Sequence, residues 1–220
     1  MYDFLKRLLD ITVSSFTLII LLPIFLPIII ILRFSAEGEV FYLQERIGRN
    51  NSRFQIWKFA TMLKNSMNMG SGTITLQNDF RVTKIGGFLR KTKINELPQI
   101  INILKGDISL VGPRPLVDQT FTAYSDEVQS KIYNVKPGLT GIGSIIFRDE
   151  ESIISAASDE HPHEFYKRVI APYKGELEMW YQGHNSFFLD LQLIFLTAWV
   201  IVIPRSKLYE KWFKDLPRRK

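Results

Sequence analysis

The sequence predicts a mainly helical α+β chain with a membrane element at its N-terminus. Three observations predict it. Between Asp10 and Arg33 lie 22 uncharged residues, "ITVSSFTLIILLPIFLPIIIIL". Two short apolar segments flank a polar turn between Val40 and Met62, as a β-hairpin requires. From Val82 to Asp107 the apolar residues recur at helical spacing and the run ends on Gly106. With 46% hydrophobic but also 23% charged residues, the membrane part is local.

As a straight helix the first run would reach roughly 33 Å, enough to span a hydrocarbon core of about 30 Å. Pro23 and Pro27 sit in its middle, and each removes a donor and crowds the preceding turn, which predicts a break or bend near Leu22. Lys6 and Arg7 precede the run and Arg33 follows it. Both flanks satisfy the cytoplasmic preference of cations only if the segment enters and returns, so a re-entrant helical hairpin dipping into one leaflet is expected. A straight span is the alternative. A secretory signal fits less well, because the run exceeds an ordinary apolar core and "RFSAEGEV" lacks a small-residue cleavage site.

Next come a hairpin turning at Gly48 to Ser52 and a loop through "MNMGSGTITLQND". Two helices follow, the second starting at or just before Asn95, with Pro98 in its first turn and Lys105 and Gly106 as its stop. "SLVGPRPL" reads as an apolar pair and a stiff loop around Arg114, and "VKPGLTGIGSIIFRDEE" as a glycine-rich turn leading into a strand-like run and an acid cluster. Phe187 to Ile203 is apolar again, interrupted by Asp190 and Gln192 and closed by Pro204. Its Trp199 and the basic, aromatic tail behind it suit a lipid interface, with a core helix and solvated tail as the alternative.

The formal charge of +6 calls for an acidic partner: nucleic acid, an anionic leaflet or a phosphorylated substrate. No recognition helix or base-stacking motif supports nucleic acid. The absence of cysteine excludes disulfides and thiolate chemistry, and three histidines are too few to suggest a zinc site. Lys58, Arg90, Lys105, Arg114 and Lys136 lie in a glycine- and proline-rich framework that could cradle phosphates, with Arg114 between Pro113 and Pro115 foremost. Glu96 at a helix start would stay ionised, as a nucleophile or metal ligand must, or simply stabilise the first turn, and Asn95 would cap the helix.

Five stretches, "LKRLLDI", "YLQERIGRNNSRFQIWKFATM", "LRKTKINELPQIINILKGDISLVGPRPL", "VKPGLTG" and "SFFLDLQLIFLT", occur in order over most of the chain. On these the chain resembles the bacterial sugar transferases, the monotopic phosphoglycosyl transferases. The resemblance implies a re-entrant membrane helix at residues 1–36, broken at Pro23; a small cytosolic catalytic domain at 37–184; and an interfacial amphipathic helix and basic tail at 185–220. It also implies location at the bacterial inner membrane and transfer of a sugar 1-phosphate from a nucleotide diphosphate sugar, usually a UDP-sugar, to polyprenyl phosphate. UMP leaves and Mg2+ assists. Such a step begins capsule, O-antigen or exopolysaccharide assembly, and a homodimer is left open.

The family's Asp-Glu pair falls on Asn95 and Glu96, with Arg90, Arg114, Lys58 and Lys136 as diphosphate ligands. This chain departs from the pattern at three places: Asn95 is an amide, Ala60 stands where a basic residue is usual, and "IGSIIFRDEE" replaces the usual tryptophan- and glutamine-containing segment. Three readings accommodate Asn95. Glu96 becomes the nucleophile, or Asp149 or Glu150 supplies the missing acid; the protein binds substrates without turnover; or the amide was introduced to trap a complex.

Overall fold

In the computed structural model, which describes residues 1–35, 37–70, 74–76, 78–157 and 160–219, helix α1 runs unbroken from Tyr2 to Arg33. The expected break near Leu22 is absent. Pro23 and Pro27 both lie inside the helix on its exposed side, while Leu18, Leu21, Phe25, Ile28 and Leu32 pack on the domain before and after them. Packing on both sides of the prolines holds turns that each ring weakens by one hydrogen bond.

Strands β1 (Phe41–Ile47) and β2 (Arg53–Phe59) form the expected antiparallel hairpin, pairing Phe41 with Phe59 and Ile47 with Arg53. Its turn carries Asn50 and Asn51 at φ 55° and 57°, the left-handed region that asparagine tolerates better than most residues. Gln44, Ile47, Ile56 and Phe59 are buried while Leu43 and Glu45 are exposed. The Met67 to Asp79 segment leaves a 3-10 turn at Ser66–Asn68 and is irregular beyond it where described; Ser71 to Thr73 and Gln77 lie outside the described residues, as does Lys220 of the basic tail. Arg81, 1% exposed, ties this segment together by donating to the carbonyls of Ser66, Met69 and Ile74.

Helix α2 (Lys84–Lys91) is capped by Thr83, whose hydroxyl accepts from the Gly86 amide at 3.0 Å. The chain then makes a 3-10 turn at Ile94–Glu96 before α3 (Gln99–Lys105) begins. The second helix therefore starts later than the sequence suggested, Pro98 precedes it, and Asn95 caps nothing. The stop is as expected, with Gly106 at φ 91°. Arg7 of α1 donates to the carbonyls of Ile103 (2.6 Å) and Leu104 (2.7 Å), satisfying acceptors that a helix end leaves open.

Strand β3 (Ser109–Val111) is followed by α4 (Asp118–Phe121) and α5 (Asp126–Lys131), then by β4 (Gly138–Thr140), which pairs parallel to β3. A Cβ on Gly138 would lie 2.0 Å from the Gly112 nitrogen, so only glycine allows the backbone after β3 to press against β4. The apolar run behind β4 is helix α6 (Ile142–Ile146), not a strand. Ile142, Gly143 and Ile145 are its buried residues, a spacing that one helical face also satisfies. Helices α7 (Glu150–Ser155) and α8 (Pro162–Phe165) lead through a π-turn at Tyr166–Ile170 into α9 (Ala171–His184), α10 (Phe187–Val202) and α11 (Leu208–Trp212).

The main core gathers Val111, Ile132, Tyr133, Ile142, Tyr166, Ile170, Leu177, Leu193 and Leu196. Asp190, which interrupts the last apolar run, is fully buried there. It accepts from Lys6 at 2.6 Å, Tyr181 at 2.7 Å and Tyr2 at 3.0 Å, pinning the start of α1 to α10. Asp10 adds bonds from the Ser109 hydroxyl (3.0 Å) and the Leu110 amide (2.9 Å). Contacts at Arg7, Asp10, Ser14, Leu18, Leu21, Phe25, Ile28 and Leu32 follow a helical stripe, so α1 lies along the domain over about 38 Å at roughly 1.5 Å per residue. Phe4, Phe16, Ile19, Ile20, Leu26, Ile30 and Ile31 remain exposed on α1.

Asn102, 0% exposed, joins α3 to the hairpin: it accepts from the Trp57 amide (2.9 Å) and donates to the Gln55 carbonyl (2.8 Å) and to Asp107 (2.9 Å). Asn102→Ala removes three hydrogen bonds made by a buried side chain and should cost about 3 kcal/mol of unfolding free energy, read as a lower denaturant midpoint.

Candidate active site

One face of the hairpin, the 3-10 turn, the loop after β3 and the first turn of α7 enclose a cavity of about 420 Å³. Strand alternation sends Tyr42, Gln44 and Arg46 of β1 to the same face, and Lys58 sits across from Tyr42 in register. Arg114 enters from the loop whose course the Gly112 and Gly138 contact determines. Arg90 comes from the last turn of α2, and Lys174 from the buried side of α9. Among the described residues the lining holds seven lysines and arginines against four glutamates, which suits a polyanionic ligand.

Glu96 stands among these cations. Its Oε1 accepts from Arg114 Nη2 at 2.6 Å and lies 3.9 Å from Lys58 Nζ. Burial would raise its carboxyl, but the charges of Arg114 and Lys58 more than offset that and hold it well below the usual carboxylate range. Glu96 is thus ionised at any working pH, and these two cations are the reason rather than a helix dipole. Glu96 in turn raises Arg114. Burial, with Arg46 beside it, pulls the Lys58 ammonium down to about 7, and burial lowers Arg46 to about 10.

The structure brings together Lys58, Arg90, Asn95, Glu96, Arg114 and Glu150 from the residues the sequence singled out. It does not bring in the others. Lys136 lies against Gly106 beside Arg7, and Lys105 sits over the Trp57 ring at 5.3 Å. Asp149 is exposed just ahead of α7, and Arg148 donates to the Val200 carbonyl. Ala60, one of the three departures from the resembled pattern, lines the cavity.

Sequence reasoning missed Arg46, Lys93 and Lys174, while Glu151, a member of the acid cluster, joins Glu150 in the lining. Arg46 was findable, since it shares a strand face with Tyr42 and Gln44. Lys174 gave a fainter signal: with Glu178 and Tyr181 it keeps helical spacing on a face that also carries Leu177.

Asn95 is buried, lines the cavity, and its Oδ1 has no hydrogen-bond partner. Among the described residues there is no group of three or more His, Asp or Glu able to hold a metal. Magnesium usually keeps several waters and takes few protein ligands beside substrate phosphates, so one unbonded amide oxygen at a cation-lined cavity is compatible with an ion that arrives on a diphosphate.

Beneath the cavity, Glu178 is 1% exposed and neither of its oxygens is hydrogen-bonded. Burial pushes the acid up to about 7, outweighing Lys174 and Arg114, which favour its charge. A carboxyl raised in the folded state lets the unfolded chain ionise first, so Glu178 removes stability as pH rises from the ordinary glutamate range to about 7. Glu178→Gln should therefore gain on the parent protein by about 2 kcal/mol between pH 5 and pH 7.5, measured by urea unfolding at both values.

Residues 1–204 match the family model described as bacterial sugar transferase. The chain is 37% identical over 199 residues to the uncharacterized sugar transferase EpsL of Bacillus subtilis, covering 90% of this chain and 88% of that protein. It is 33% identical over 215 residues to the exopolysaccharide production protein ExoY of Rhizobium meliloti, covering 91% and 87%. It is 36% identical over 206 residues to the UDP-glucose:undecaprenyl-phosphate glucose-1-phosphate transferase of Klebsiella pneumoniae, where it covers 91% of this chain but 41% of that longer protein. The cationic cavity around Glu96 is therefore that of a chain belonging to the bacterial sugar transferase family.

Proposed function

We propose that the protein transfers a sugar 1-phosphate from a UDP-sugar to undecaprenyl phosphate, releasing UMP, at the cytosolic face of the bacterial inner membrane. The observation that carries the reading is Glu96, an ionised carboxylate held by Arg114 and Lys58 inside a cavity rich in cations. Membership in the family and the activity named for the Klebsiella relative support it. The product would start assembly of an extracellular polysaccharide.

With an amide at Asn95, Glu96 is the carboxylate of this turn able to attack. A Glu96 oxygen bonds to the β-phosphorus while the bond from that phosphorus to the bridging oxygen breaks, and UMP departs with the electron pair. An oxygen of undecaprenyl phosphate then bonds to the same phosphorus and the Glu96 carboxylate is released. Splitting the transfer lets a water-soluble donor and a lipid acceptor use one site in turn. Arg114, Arg90 and Lys58 hold the diphosphate, and Asn95 Oδ1 would hold Mg2+, which offsets the charge of two anions that must meet.

Membrane association of the monotopic kind is supported by α1. Its polar and apolar contacts to one domain run along nearly its whole length, and its other face is apolar and exposed. Such a helix suits lodging in one leaflet. Phe188, Leu191, Phe195 and Trp199 add an exposed apolar stripe on α10, and Trp212 of α11 stacks on Phe195 at 5.4 Å.

A second reading, binding of the nucleotide sugar without turnover, rests on Asn95 alone. UMP release from a panel of UDP-sugars with Mg2+ and undecaprenyl phosphate separates the two: the transferase releases UMP with at least one donor, and Glu96→Gln lowers that rate at least about a hundredfold. Full turnover in Glu96→Gln would remove Glu96 from the chemistry. For topology, single cysteines at Asp3 and Asn50 of this cysteine-free chain should both react with an impermeant reagent from the cytosolic side; labelling on opposite sides establishes a span.

A further inference from the structure

Two successive carboxylates at the start of α7 hold two cations that enter the cavity from different elements. Glu151 accepts from Arg90 of α2 at 2.5 Å, and Glu150 accepts from Lys174 of α9. The exposures within each pair are unequal. The Lys174 side chain is 3% exposed and Glu150 28%; the Arg90 side chain is 21% exposed and Glu151 49%.

The asymmetry says which partner can leave. A buried ammonium without a counter-ion is costly, so Lys174 must stay paired, whereas a partly exposed glutamate that swings away regains water. Lys174 nonetheless lines the cavity, and the transfer chemistry has so far given it no task. Two neighbouring carboxylates present two adjacent anionic groups, as a diphosphate does, and a phosphate oxygen is as strong a partner for lysine and arginine as a carboxylate oxygen. Glu178, one turn beyond Lys174 with neither oxygen hydrogen-bonded, remains below it whichever partner it takes.

We propose that Lys174 and Arg90 together bind the diphosphate of the donor, and that Glu150 and Glu151 occupy these two cations as an internal dianion until the donor displaces them. This rests on the transferase reading for the identity of the donor, but not for the exchange itself. It gives Glu150 the role of counter-ion instead of substitute nucleophile, and explains an acid cluster at the rim of a site that binds anions.

The experiment measures binding of inorganic pyrophosphate and of UDP-glucose to the full chain by calorimetry, beside UMP release. The variants are Glu150→Gln with Glu151→Gln, Lys174→Met, and all three changes together. Removing the two acids should tighten pyrophosphate at least fivefold and leave UMP release in place. Lys174→Met should weaken pyrophosphate at least tenfold, and in that background the glutamine changes should give much less tightening. Unchanged or weaker pyrophosphate binding in the double glutamine variant overturns the exchange. So does loss of UMP release with donor binding intact, which would make Glu150 or Glu151 a reacting group. Glu178 remains as an acid beside Lys174 when Glu150 is replaced, so the double variant decides the matter even if Lys174→Met does not fold. The expected pyrophosphate pattern, with no UMP released by the parent protein from any donor, supports the exchange and rejects the transferase reading.

Discussion

The pairing of Arg114 with Glu96 is the interaction on which the site depends. Arg46, Lys58 and Arg114 are drawn into one partly buried cavity, where burial first and neighbouring cations second lower Lys58 and Arg46. One carboxylate at 2.6 Å from Arg114 and 3.9 Å from Lys58 relieves that crowding from within the site. It also binds the 3-10 turn to the loop after β3, two segments with no regular backbone pairing between them. The same charges that keep Glu96 ionised make the cavity lining cationic. Glu150 and Glu151 complete the balance from the opposite wall, which keeps a cation-rich pocket compatible with a folded chain.

The long apolar helix obeys a related constraint at its polar end. Lys6, Arg7 and Asp10 are not solvated flanks: they bind Asp190, the open carbonyls of α3, and the backbone at β3. These bonds direct the start of α1 onto the elements that also carry the site. The apolar contacts from Leu18 to Leu32 then follow the hairpin and α2. A surface that brings an apolar helix alongside a cation-lined cavity is compatible with the proposed lipid phosphate acceptor.

Much of this was legible in the sequence, and the misses have physical causes. The hairpin showed through its turn residues, and the end of α3 through Lys105 and Gly106. Lys58, Arg90, Glu96 and Arg114 were chosen by residue type and family pattern, and the fold does gather them. Asn95 was read as a cap because Asn favours caps, but the helix starts at Gln99, after Pro98. Ile142 to Ile146 was read as a strand because a short apolar run has no period long enough to distinguish the two. Pro23 and Pro27 suggested a break that neighbouring contacts override. Lys136 looked like a phosphate ligand from its proline and glycine setting, yet the approach of β4 to β3 carries it to the end of α3 instead. Lys174 depends on where α9 docks, which local sequence does not encode.

The central claim is that Glu96 takes over the transferred group. The most direct measurement is mass-spectrometric mapping of the protein after brief reaction with a turnover-competent UDP-sugar and Mg2+ in the absence of undecaprenyl phosphate. The account predicts a sugar-phosphate adduct on the peptide containing Glu96, absent from Glu96→Gln and discharged when the lipid acceptor is added. An adduct on Glu150 or Glu151, or UMP release that requires the acceptor and leaves no adduct at all, would contradict it.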